Sequence, residues 1–455
     1  MSLPSQAPRF PEAPNASLRS RDDGRELTYQ QMILCSAVIG IAGGLVATAY
    51  YYALEACLHL VWHRLPDVLE PYFPPAIPSW NYVWITTSIG GLLVGLTLYF
   101  LGLPGEVAMV VDKVHDPGRI ELRQTPAMIV ASLISITAGG SAGPEAPLVQ
   151  IVGSFGGWLG QKIKLTLTAT RVLTFCGMSA ALGAFFGAPL GGALFALEIP
   201  HRRGLEYYEA IIPAVLSAIL SFFVFRFNTG LTIGGMYHFA SIPTLSLMNL
   251  IEGAILGIGG ALIAMIFIFL FRGIGYLSEL IAHRTILLAT LGGLSIGLIA
   301  LAFPQTLFFG EKEIQTIVET GSTFGITMLL MVALAKMLAV CCTLHSGFRG
   351  GFIFPLFYIG AAVGLAIALA VPQIHPTISM ICMMAAVNVA VTKTPISTTV
   401  ILSVLSDTAM VPVIVIASFV SFLLTTQVTL IQTQRSRSFS EENSGFPIQA
   451  APESA

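Results

Sequence analysis

Between residues 31 and 431 the chain is an almost unbroken succession of apolar segments separated by Gly, Pro and a few polar residues. Long segments lie at 31–61, 82–102, 209–227, 245–275, 285–303, 323–344 and 409–431, and shorter ones at 125–138, 147–162, 171–185, 189–199, 352–371, 376–391 and 395–406. A helix needs about 20 apolar residues to cross roughly 30 Å of hydrocarbon, so the long segments predict spanning helices. The short ones predict re-entrant or half-spanning helices whose ends meet inside protein, because lipid leaves no partner for open backbone groups. Composition excludes a soluble fold. Only 10% of the 455 residues are charged and 55% are hydrophobic, with a mean hydropathy of +0.81, against about 25% charged in ordinary soluble domains. A formal net charge of -2 provides no basic field for nucleic acid. The expected class is an all-α polytopic membrane protein whose solvent is a lipid bilayer.

The two ends differ from this body. Residues 1–30 are polar and Pro-rich, carry Arg9, Arg19, Arg21 and Arg25, and lack a short apolar run with a cleavage site. Residues 432–455 are polar again, with Arg435 and Arg437. Cations beside apolar segments predict a cytoplasmic N-terminal segment over 1–30 and a cytoplasmic tail over 432–455, too short for a regulatory domain. The plain expectation is the cell (plasma) membrane. Cys35, Cys57, Cys176, Cys341, Cys342 and Cys382 show no CxxC pattern and mostly sit in apolar stretches, so they read as small hydrophobes. Histidines are scattered without HExxH spacing, so neither a metal nor a cofactor is expected. No Ser/His, Asp/Asp or His/Glu set with known chemistry appears, so the chain is not expected to be an enzyme.

An internal repeat organises the body. At an offset of 208, Gly139, Gly143, Pro147, Leu148, Ile151 and Gly156 fall on Gly347, Gly351, Pro355, Leu356, Ile359 and Gly364. At 206, Ala188-Pro189-Leu190 falls on Thr394-Pro395-Ile396. Two halves follow, near 31–230 and 240–431. Transporters place their site where Gly/Pro-interrupted helices of two such repeats meet. The spacing alone leaves the relative orientation of the halves open.

The sharpest segment is Gly139-Gly140-Ser141-Ala142-Gly143-Pro144-Glu145-Ala146-Pro147. A Gly/Ser loop running into Pro at a first helical turn exposes free N–H groups at a positive dipole end, which is an anion site without a full charge. Glu145 sits among those donors, and an ionisable residue between apolar helices points to function. Its carboxylate is either a tethered anion that competes with a permeant one and leaves when protonated, or a plain capping group. Ser346 to Pro355 repeats the logic, with the amides of Phe352, Ile353 and Phe354 either facing an ion or closing a tight turn. Leu101-Gly102-Leu103-Pro104-Gly105-Glu106 is a weaker third break, and an ordinary helix terminus would look the same. These N-termini disfavour a cation as cargo.

In this order the three segments resemble the CLC family of chloride channels and chloride/proton exchangers, with its GSGIP, G(K/R)EGP and GxFxP stretches. The counterparts are Phe100–Pro104, Gly143–Pro147 and Gly351–Pro355. Gly187 to Glu198 resembles the family's N-A-P-L-x-G-x-L-F-x-x-E helix, and Lys336 to Pro355 its K…T-L-x-S-G-x-x-G-G-x-F-x-P run. The resemblance implies the CLC fold of two inverted repeats of tilted and broken helices, assembled as a homodimer with one pathway per subunit. It implies transport of chloride or another small anion, fluoride and nitrate included, as a channel or in exchange for protons. Glu145 becomes the gating glutamate, and Leu101, Gly102, Leu103, Pro104, Gly143, Ala146, Phe352, Ile353 and Phe354 surround the anion. The chain also departs from the pattern. Leu101 stands at the filter serine, Pro144 at the basic residue, and no tyrosine follows Tyr358, so coordination falls to backbone amides. Ile199 stands where many exchangers carry a proton glutamate. Protons then need another route, through water, His201 or Glu198, unless Glu198 is a structural carboxylate paired with Arg202 or an amide. Lys336 reads as a buried partner of a carboxylate or a snorkelling cation, and Arg349 as a vestibule or loop cation.

Overall fold

The computed structural model describes residues 24–69, 82–102, 107–231, 236–242, 244–406 and 408–435. The first half contains α1 (Tyr29–His59), continued through a π turn into α2 (Leu65–Leu69), then α3 (Val83–Leu101), α4 (Val107–His115), α5 (Thr125–Thr137), α6 (Glu145–Lys162), α7 (Leu167–Phe186), α8 (Pro189–Glu198) and α9 (Ile211–Thr229). The second contains α10 (Leu247–Glu279), α11 (Thr285–Ala302), α12 (Glu311–Thr320), α13 (Gly325–His345), α14 (Ile353–Ala370), α15 (Pro376–Thr392), α16 (Pro395–Leu405) and α17 (Val411–Thr425). Among the described residues, eight helical stretches are long and apolar enough to cross a membrane. α5, α8 and α16, at 13, 10 and 11 residues, are the short pieces between breaks.

The halves are built alike. α1 and α10 both open on a capping box, Thr28 with Gln31 and Ser246 with Asn249, which satisfies orphan amides at each helix start. α6 and α14 are each 18 residues long and begin 208 residues apart. They are also inverted about a local two-fold, as the α3–α11 crossing shows. A Cβ on Gly91 would overlap the Ala289 carbonyl, and a Cβ on Gly293 would overlap that of Thr87. Both glycines and both carbonyls are related by the same shift of 202, so each helix offers its partner the same contact, as a two-fold requires.

Burial follows from composition. Every residue of α15 from Thr377 to Thr392 is buried, as is nearly all of α7 and α14. Helices apolar all round belong in the centre of a membrane protein. α1, α9, α10 and α17 surround them, with Leu34, Phe227, Phe269 and Leu423 exposed on the outer surface.

The apolar pattern passes over two elements. α4 and α12 carry Asp112 and Lys113, and Glu311, Lys312 and Glu313, too polar to register as membrane segments. Each occupies the same place in its half, and each buries one face only, Val110, Val111 and Val114 in one case, Ile314 and Ile317 in the other. The segment expected over 409–431 is helical only to Thr425. After it, Thr426–Arg435 runs as a strap across the ends of α4 and α8. Thr433 donates to the Ala108 carbonyl at 2.6 Å, and Gln434 to those of Ile199 and Thr392 at 2.8 and 2.7 Å.

Lys336 is neither snorkelling nor paired with a carboxylate. Its buried Nζ donates to the carbonyls of Thr306, Leu307 and Phe308 at 3.1, 3.3 and 2.8 Å, closing the turn between α11 and α12. Lys393 does the same for α15, donating to the carbonyls of Ala390 and Thr425 and to the Thr425 hydroxyl.

Candidate anion site

The repeat places two helix N-termini face to face. Gly139 and Gly347 share a φ of +93°, which glycine adopts without penalty, and each turns its loop back toward the centre. Gly143 and Gly351 then exchange two backbone hydrogen bonds, at 2.8 and 2.7 Å, as an isolated antiparallel bridge. Equivalent residues of the two halves thus pair with each other on the local two-fold. Immediately beyond the bridge, α6 opens at Glu145 and α14 at Ile353.

Glu145 occupies the seat between these N-termini. It is 1% exposed, and its Oε1 accepts from the Ile353 amide at 3.0 Å. The amides of Phe354 and of Glu145 itself also face the carboxyl group. Oε2 is buried without a partner. The two glycines make the seat possible, since a Cβ on Gly143 or Gly351 would overlap the carboxylate. Amides and dipole ends aimed at one point form an anion site.

From this seat extends a cavity of about 330 Å³. Its wall takes in Ala146, Phe352 and Ile353 near Glu145, Val107 and Val111 of α4, Ile199, and Leu430 to Thr433 of the strap. Gln150, His345 and Arg349 are its other polar side chains. The wall is otherwise apolar, and a low local dielectric strengthens the amide dipoles at its end.

The structure brings Glu145, Gly143, Ala146, Phe352 and Ile353 together around the seat. Phe354 contributes its amide, while its ring packs among Phe185, Phe186, Phe309 and Phe357. Leu101 and Gly102 lie apart at the end of α3, Leu101 being 55% exposed, and neither lines the cavity. Leu103 and Pro104 lie outside the described residues, as does Glu106.

Glu198 is a cap. Its carboxylate accepts from the amides of Ile396 and Ser397 at 3.1 and 2.8 Å and from the Ser397 hydroxyl at 2.6 Å, all at the first turn of α16. Arg202 instead donates to the strap carbonyls of Gln432 and Gln434. His201 is fully buried in a ring cluster with His115 and Tyr207, each 5.2 Å away between centroids, and it does not line the cavity. Ile199, next to Glu198, does line it.

Sequence reasoning missed the strap, whose polar residues resemble any tail, and Gln150. A lone amide five residues past Glu145 in an apolar helix was the available signal for the second.

A sequence profile of the family described as Voltage gated chloride channel matches residues 90–426. A relative named Chloride/fluoride channel protein, from Pseudomonas syringae pv. tomato, is 28% identical over 364 residues, 78% of either chain. A Putative ion-transport protein YfeO from Salmonella newport is 24% identical over 421 residues, 90% of this chain and 98% of its own. Two solved structures share the fold at a TM-score of 0.76. One is titled a CLC-type fluoride/proton antiporter, 20% identical and covering 90% of this chain and 100% of its own; the other, a slow cyanobacterial Cl-/H+ antiporter, is 21% identical and covers 92% and 99%. With inverted halves, facing helix N-termini and a profile match over most of its length, this chain belongs to the voltage gated chloride channel (CLC) family, membrane proteins that transport anions and are not enzymes.

Proposed function

We propose that the protein exchanges chloride for protons across the cell membrane, with Glu145 as gate and proton carrier. The observation that carries this reading is the Glu145 carboxylate bonded to the Ile353 amide at the head of the cavity, with Oε2 unpartnered. Ionised, that carboxylate is a tethered anion held by amides that would serve a free anion equally. A permeant anion entering the cavity competes with it. Protonation removes the charge that holds it, so the side chain leaves the seat carrying one proton as the anion takes its place. The cavity reaches Glu145, and Ile199 is on its wall, so we assign the proton route to water in the cavity rather than to Glu198, whose oxygens already bond α16, or to His201.

Fluoride is the second reading. The wall near Glu145 offers backbone amides and apolar groups, with no hydroxyl from Leu101, and a relative bears a chloride/fluoride name. We further assign a homodimer with one pathway per subunit, buried through the exposed apolar faces of α9 and α17, which carry Ile212, Phe223, Phe419 and Leu423.

The test is simultaneous chloride and proton flux from liposomes loaded with chloride. Outward chloride flow is expected to drive protons inward from zero initial pH gradient. Glu145→Gln is expected to keep chloride flow and lose the protons. Wild-type proton coupling in Glu145→Gln would overturn the gate. Flux with fluoride but not chloride would select the second reading.

A further inference from the structure

We infer that Gln150 is the side-chain hydrogen-bond donor to the permeating anion, oriented by a single water held behind it. The inference rests on the anion-transport reading and names a ligand within it. Gln150 lies on α6, five residues past Glu145, and is 1% exposed. Among the described residues neither its Nε2 nor its Oε1 has a partner. A buried amide open at both ends is costly, and such groups are retained where something absent from the bare chain completes them.

What completes it follows from its place. Gln150 is part of the wall between two cavities. On one side is the main cavity, shared with Glu145. On the other is a small one of about 10 Å³, lined by Lys113, Glu121 and Gln124 as well, the first two forming a 3.7 Å ion pair. That volume holds one water. Water bound near the Lys113 ammonium can donate to the amide oxygen, which turns the NH2 group toward the main cavity. A carboxamide donates only through nitrogen, and an anion requires a donor. Of the other polar groups on the main wall, Arg349 and His345 already interact within the protein. The Thr433 hydroxyl donates to Ala108, Gln432 is exposed, and the His345 ring packs on Phe271 at 4.1 Å. Gln150 thereby supplies the side-chain donor that Leu101 lacks.

The test is calorimetric titration of the purified full-length protein with chloride, fluoride and nitrate. Gln150→Met keeps the volume and removes both polar ends. It is expected to weaken anion binding about ten- to a hundred-fold, the range for one hydrogen bond to a charged group. Wild-type affinity in folded Gln150→Met would overturn the assignment. Should that variant fail to fold, Gln150→Glu in a Glu145→Gln background decides. There the introduced carboxyl donates only when protonated, so binding is expected to fall steeply as pH rises, relative to Glu145→Gln alone. Lys113, Glu121, His345 and Arg349 are common to both proteins and cancel. Equal pH dependence in the two would overturn the assignment. Absence of binding and flux for all three anions in the unsubstituted protein would instead sink the transport reading, and this inference with it.

Discussion

At the scale of single residues, the seat is shaped by what is missing from Gly143 and Gly351. Adding one methyl group at Gly351 should push the Glu145 carboxylate from the Ile353 amide without changing any charge. Gly351→Ala is therefore expected to transport with a flattened pH dependence, like Glu145→Gln, measured as anion flux from liposomes between pH 4.5 and 7.5. Lys336 makes the opposite case, a charge whose work is structural. Lys336→Met leaves three carbonyls without a donor. It should cost about 2–4 kcal/mol, seen as a lower thermal unfolding midpoint in detergent, with anion selectivity as in the wild type. The place of Glu145 at a helix start facing a second one was legible from sequence because its Gly/Pro surroundings recur at an offset of 208. Lys336 was not, because its partners are carbonyls, and backbone acceptors leave no trace in residue types; for Glu198 the sequence already offered the amide-bonded structural carboxylate that the structure shows.

At the scale of elements, the core depends on helices that touch backbone to backbone. A Cβ on Gly364 of α14 would lie 2.6 Å from the Met380 Cα and from the Ser379 carbonyl oxygen of α15. Gly364→Val should therefore part the two helices, at about 1–3 kcal/mol or more, and abolish recovery of folded protein. Removing the cap on α16 is milder. Glu198→Ala should lower stability by about 1–2 kcal/mol, while the proton-to-anion ratio stays that of the wild type; a lost ratio would return Glu198 to the proton route. Periodic apolar length marked most helices correctly. It failed for α4 and α12, where polar residues interrupt the apolar run because one face alone is buried. It also overextended the last segment, because Val428, Leu430 and Ile431 are apolar for a reason other than helix burial, packing against the core from the strap.

At the scale of the whole molecule, the strap, α4 and the end of α8 meet at one buried histidine. His115 Nε2 donates to the Pro200 carbonyl at 2.9 Å, its Nδ1 accepts from the Tyr207 hydroxyl at 3.1 Å, and the Arg435 amide shares that same Pro200 carbonyl. Burial lowers His115 from its ordinary 6.5 to about 4, the Pro200 bond opposing in part. The unfolded chain takes up this proton as pH falls below 6.5 and the folded one only near 4, so the unfolded state binds more protons in between. The stabilisation is complete above pH 6.5 and is lost as pH falls from there toward 4. The thermal midpoint in detergent should drop over that window, and less steeply in His115→Asn. The local two-fold is the other feature of the whole. It makes the backbone around the seat interchangeable end for end, amide row facing amide row, with no built-in sense of inward or outward. Ile353 is the image of Glu145 under that operation, and it carries no charge. Any difference between the two ends of this ambidextrous scaffold is thus written into side chains, and first of all into this one unmatched carboxylate.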